Sequence, residues 1–270
     1  NRIETLSMYR VLPSAIYVAA VFIVMPMVGF SVLVSLILTL SSLALSTAFV
    51  VWRLSPVFSC TRDTMGKVIH ETKEYGFRIY TGKVVSMGAY NSDRILISFF
   101  TGTTAVGFYS LAMNLSSPMT LLSASISTSA FRGLARLNRI PHRIIYYNSI
   151  WLASCMVALF ALGRIILRTL FSERYLPATL PLYLLAAASF FGGMAQPYNA
   201  FLMSKGQGEY LQKASFILTG CSLAGNFILI PPLGESGAAL ASLVSLGINY
   251  QARRHYYDRF LKQHSQTEGV

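Results

Sequence analysis

The chain has 270 residues, of which 54% are hydrophobic and only 12% charged, and its mean hydropathy is +0.53. Soluble domains carry about 25% charged residues, so this composition excludes an ordinary water-soluble globule. The formal charge of +12 and a pI near 9.8 could suit nucleic acid, but the basic residues are spread over short segments beside apolar stretches, with no contiguous patch and no recognition module, so no nucleic-acid partner is expected.

A membrane-spanning helix needs roughly 20 mostly apolar residues. Eight candidate stretches follow one another: Val11 to Gly29, Phe30 to Trp52, Tyr80 to Phe100, Ala105 to Ala130, Ile144 to Gly163, Pro177 to Met203, Ala214 to Pro231 and Gly237 to Tyr250. The expected fold class is therefore all-α: a polytopic helical membrane protein with eight transmembrane helices. The chain opens on Asn1 without an initiator Met or a signal peptide, and a fragment lacking its N-terminal spans is the expectation. The interval 54–78 separates two leading spans from six trailing ones. Within it Met65, Val68, Ile69 and Thr72 recur at helical spacing, which predicts a short helix lying on the membrane surface.

The charges give an orientation. Of the 22 Lys and Arg, Arg164, Arg168 and Arg174 share one interval and Lys83 and Arg94 lie inside a span, while all the others fall in the first segment, the polar interval Arg53 to Ile79 or alternate later intervals. By the positive-inside rule those intervals are cytoplasmic, both ends of the chain with them. Residues 253–270 then form a cytoplasmic basic tail, and Gly102 and Gly234 fall outside the membrane. The tyrosines near predicted interfaces form an aromatic belt.

Several spans are interrupted. Pro118 lies inside the fourth, Gly192, Gly193 and Pro197 inside the sixth, and Pro231 and Pro232 end the seventh. Such interruptions suit either close helix packing through small residues or the cavity-lining breaks of transporters. The third span is the most polar. Lys83 and Arg94 are eleven positions apart, about 20° around the axis and about 16 Å in height, so they share one face with Tyr90 between them. Asn91 is on one shoulder of that face, and Ser86 and Asp93 are on the other. The stripe either reaches out to the two interfaces or lines a cavity that attracts an anion. Arg164 and Arg168, an i, i+4 pair, either meet headgroup phosphates or line the outer mouth of such a cavity.

Nothing in the sequence supports catalysis. His70, His142, His255 and His264 all map to cytoplasmic segments, with no nucleophile triad, carboxylate pair or nucleotide-binding glycine pattern beside them. "HETKE" at 70–74 lacks the second His of a zinc-protease motif, and Cys60, Cys155 and Cys221 have no metal or disulfide spacing. Neither a cofactor nor a metal is expected.

The segment "YGFRIYTGKVVSMGAYNSDRILISFFTGTTAVGFYSLAMNL" resembles the start of the C-terminal lobe of the polysaccharide-exporting flippases, members of the multidrug/oligosaccharidyl-lipid/polysaccharide exporter superfamily. The resemblance is carried by Asp93 followed by Gly107, Tyr109 and Ala112, then by Gly206, Asn226, Ile230, Pro231, Gly234, Gly237, Ala238 and Ala239. It covers about Tyr75 to Tyr250. One departure is "SAFRGLARL" at Ser129 to Leu137, where Arg132 and Gly133 stand where relatives often have Pro.

The resemblance implies a twelve-helix, two-lobe MATE-like fold. Residues 1–53 would be the last two helices of the first lobe, 54–78 a cytoplasmic inter-lobe linker, and 79–252 the six-helix second lobe. It implies a flippase in the bacterial inner membrane that moves undecaprenyl diphosphate-linked oligosaccharide by alternating access, with membrane lipids around it and a polysaccharide polymerase and chain-length regulator as partners. The diphosphate would meet Lys83, Arg94, Arg164 and Arg168, the glycan Tyr90, Asn91 and Asn114, and Asp93 would couple transport to an ion gradient. An ion-coupled multidrug exporter of the same superfamily would favour an acidic cavity, and a membrane glycosyltransferase or polymerase would carry a large catalytic loop.

Overall fold

The computed structural model describes residues 12–24, 31–54 and 77–267, and among these every regular element is helical. The surface helix expected at 65–72, the HETKE segment and Cys60 lie outside the described residues. The chain divides into two compact units, Asn1–Gly66 and Lys67–Val270.

In the first unit, α1 (Leu12–Val24) and α2 (Val32–Leu54) are tied by Tyr17 Oη and Ser35 Oγ at 2.9 Å. Leu33, Ile37 and Leu40 of α2 are exposed. Its polar side chains turn back on their own helix: Thr39 donates to the Ser35 carbonyl, Ser46 to Ser42 and Thr47 to Leu43. A helix that is apolar outward and hydrogen-bonded inward needs no water, which is the requirement for spanning lipid.

The second unit contains α3 (Phe77–Thr101), α4 (Thr103–Arg136), α5 (His142–Ile166), α6 (Thr179–Met194), α7 (Gln196–Ser204) and α8 (Gly208–Thr267). Four helical segments among the described residues are long and apolar enough to cross a membrane: Leu33–Arg53, His142–Phe171, Glu173–Ser204 and Gly208–Gln263. The chain is an all-α, polytopic membrane protein. The remaining spans expected from the sequence fall on α1, which is shorter, and on α3 and α4, which are long but more polar.

Each interruption foreseen in the sequence has a local solution. Pro118 cannot donate to the carbonyl four residues back, and Ser117 Oγ donates to that Asn114 carbonyl at 3.0 Å. Pro197 similarly leaves the Gly193 carbonyl without its helical donor, and buried Asn148 reaches across from α5 to supply one at 3.2 Å. Gly193 has no room for a Cβ because Leu152 of α5 fills the space. The sixth predicted span is therefore two helices, α6 and α7, broken at Ala195.

α8 is a hairpin. After Pro231 and Pro232, Gly234 adopts φ 58°, ψ −135° and turns the chain. The two arms then lie so close that a Cβ on Gly225 would meet Ala241 at 2.9 Å, and one on Gly237 would collide with the Leu229 backbone. Two small residues at the crossing let the backbones approach.

The helices give this unit two ends. At one end Gly102, with φ 94°, joins α3 to α4, a π turn (Leu167–Phe171) and a 3-10 turn (Glu173–Ala178) follow α5, and Phe108 packs edge-on against Tyr175. At the other end the Ile140 backbone N–H donates to Tyr257 Oη at 3.1 Å. There Lys205 Nζ donates to the Ala135 carbonyl at 3.0 Å, a cation on the last turn of α4. That bond completes the C-terminal end of the SAFRGLARL helix, which runs to Arg136. α8 continues unbroken past Tyr250 to Thr267, and Phe260 is buried beside Leu134 and Phe201. Residues 253–267 are helical, anchored at Phe260.

Candidate functional site

The centre of the second unit is the carboxylate of Asp93. It is 2% exposed, because α3 turns Gly82, Asp93 and Ile97 toward its neighbours. Tyr109 Oη of α4 donates to Asp93 Oδ2 at 3.0 Å, and Asn226 Nδ2 from the first arm of α8 donates to Asp93 Oδ1. Tyr109 Oη also lies 3.2 Å from Ser242 Oγ on the second arm. With the tyrosine proton committed to Asp93, Ser242 is the donor in that second bond. One carboxylate thus ties α3, α4 and both arms of α8, and each of its oxygens accepts a bond, as a buried charge requires. Asn226 Oδ1, beside it, has no hydrogen-bond partner.

From Asp93 a cavity of about 270 Å³ runs between α3, α4, α6 and α8. Its wall carries Ser116, Ser117 and Thr120 from α4, Ser189 and Gln196 from α6 and α7, and Ser222, Ser242, Ser245, Asn249 and Arg253 from α8, interleaved with Leu185, Leu218 and Leu246. On the second arm Ser242, Ser245, Asn249 and Arg253 follow i, i+3, i+7, i+11, which keeps them on one face of the helix. This spacing was visible in the sequence, but the polar stretch after Tyr250 reads there as a tail rather than as a helix. Asn249 and Arg253 were therefore missed.

The other predicted site residues occupy the outside of the unit. Arg94 is exposed and its Nη2 lies 3.6 Å from Met113 Sδ of α4; Asn114, the next residue of α4, is exposed. Asn91 is exposed, and its amide is turned back to the Met87 carbonyl of its own helix at 2.9 Å. The backbone of α3 puts Lys83 and Tyr90 on the Arg94 side; their side chains lie outside the described residues. α3 therefore divides its polar residues between two faces, with Asp93 turned inward and Asn91 and Arg94 outward. Arg164 and Arg168 are both exposed at the Gly102 end, and Arg168 pairs with Glu173 at 2.8 Å. Among the described residues no three His, Cys, Asp or Glu side chains gather as a metal site.

A family model described as "polysaccharide biosynthesis protein" matches residues 2–180. No curated protein matches the chain, and no solved structure does.

Proposed function

The chain belongs to the polysaccharide biosynthesis protein family, and from that premise we propose that it is a transporter that flips undecaprenyl diphosphate-linked oligosaccharide across the bacterial inner membrane. The observation that carries this reading is the outward face of α3, where Arg94 stands exposed on the same helix side as Lys83 and Tyr90, with exposed Asn91 on its shoulder. Cations adjoining amide groups suit a ligand that combines a diphosphate with sugar hydroxyls. A drug exporter for organic cations would be served by the opposite charge.

Alternating access needs an element whose packing responds to an ion. Asp93 is suited to that role, since it joins four helical segments and lies next to the unpaired Asn226 Oδ1. Binding a proton or small cation there would withdraw the acceptor that holds Tyr109 and Asn226. In this reading the end holding Arg132, Arg136, Lys205 and Arg254 is cytoplasmic and the Gly102 end is outside. Gly102 and Gly234 have positive φ, so a topology test is better placed at their neighbours. Cys at Thr103 and Glu235 is expected to react with an impermeant thiol reagent from the periplasm, and reaction only from the cytoplasm would invert the orientation.

The function is tested by depleting the protein in its host. Lipid-linked oligosaccharide should accumulate on the cytoplasmic leaflet while surface polysaccharide falls. Failure to synthesise the lipid-linked oligosaccharide at all would point instead to a glycosyltransferase.

A further inference from the structure

We propose that the Arg253 end of the cavity is a phosphate-binding site. It lies inside the second unit, separate from the outward face of α3, and does not depend on the translocation reading. Arg253 lines the cavity, and its Nε is buried without a hydrogen-bond partner. No salt bridge joins it to an acid among the described residues. Asn249, one turn before it on the same wall, is 3% exposed, and its Oδ1 is likewise buried without a partner.

Arg253 is half-buried, and a guanidinium whose Nε is buried without a hydrogen-bond partner keeps donor capacity that an anion could use. Asp93 is not that anion. It is bonded through Tyr109 to Ser242, which precedes Arg253 by eleven residues, about 16 Å along the helix. Both of its oxygens are already engaged by Tyr109 and Asn226.

The cavity wall fits an oxyanion better than a halide or a metal cation. Gln196 and Ser189 share the lining with Arg253 and Asn249, and hydroxyl and amide donors on the same wall as a guanidinium match the several acceptor oxygens of a phosphate. A positive group at this end repels cations. The space of about 270 Å³ would hold about nine waters at liquid density, enough for a phosphate group that keeps part of its hydration. The ligand is either free phosphate or the phosphate of a lipid headgroup entering from the bilayer.

The test is calorimetric titration of the purified full chain with inorganic phosphate in neutral detergent. Wild type should bind, Arg253→Gln should bind at least tenfold more weakly, and Arg253→Lys should recover part of the loss. Ser245→Leu, which keeps the arginine and fills the cavity, should also lose binding and guards against a misfolded charge variant. Repeating the titration in phosphatidylcholine nanodiscs with and without phosphatidic acid separates the sources: competition by phosphatidic acid assigns a headgroup, and undiminished binding assigns free phosphate. No phosphate binding by wild type in either medium, or equal binding by wild type and Arg253→Gln, would overturn the proposal.

Discussion

The two ends of the internal cavity are built on opposite principles. At the Asp93 end, a charge is surrounded by donors from α4 and from both arms of α8. At the Arg253 end, a charge of the other sign is held with its Nε unpaired and an unpaired amide oxygen one turn away. A satisfied network fixes helices in one arrangement, whereas an unsatisfied one leaves capacity for a ligand. The difference gives cohesion to Asp93 and leaves Arg253 as the end at which binding is proposed.

Asp93→Ala strikes the satisfied end and carries the largest expected effect. It takes the acceptor from the Tyr109 hydroxyl, which keeps Ser242, and strands the buried Asn226 amide, at a cost of about 2 kcal/mol, so thermal unfolding in detergent should begin several degrees lower. Asp93→Asn keeps an acceptor for one of the two donors and should lose less stability while still abolishing ion-dependent transport. Equal melting of all three proteins would mean that the cluster does not hold the helices together.

Arg253→Met strikes the unsatisfied end. Arg253 is half-buried with its Nε unpaired, and replacing such a cation with an apolar side chain of similar length removes an unsatisfied polar atom, so melting should stay level or rise. A fall as large as that of Asp93→Ala would erase the distinction between the ends. The smallest effect belongs to Arg168→Ala, which breaks an exposed pair with Glu173. Its stability should remain within about 0.5 kcal/mol of wild type.

The contrast between the ends also marks what the sequence could disclose. Helix positions follow from apolar runs, and every interruption at Pro118, Gly193 to Pro197 and Pro231 to Gly234 was legible, because proline and glycine act on the backbone locally. Asp93, Tyr109 and Asn226 stood out only as separate members of a family resemblance. Their meeting is a tertiary event across 16 and 133 residues, and no local pattern encodes it. Arg253 was counted among topology-setting charges, since charge counting registers where a residue falls along the chain and ignores which way its helix turns it. The contact of Arg94 with Met113 needed the α3–α4 packing in the same way.

The central claim is that the outward cationic face of α3 carries a lipid-linked oligosaccharide. Its most direct measurement is the amount of surface polysaccharide and of cytoplasmic-leaflet lipid-linked oligosaccharide in cells whose only copy carries Lys83→Gln and Arg94→Gln. Loss of surface polysaccharide with accumulation of the lipid-linked precursor, at normal levels of inserted protein, is the predicted result. Normal surface polysaccharide from that variant would contradict it.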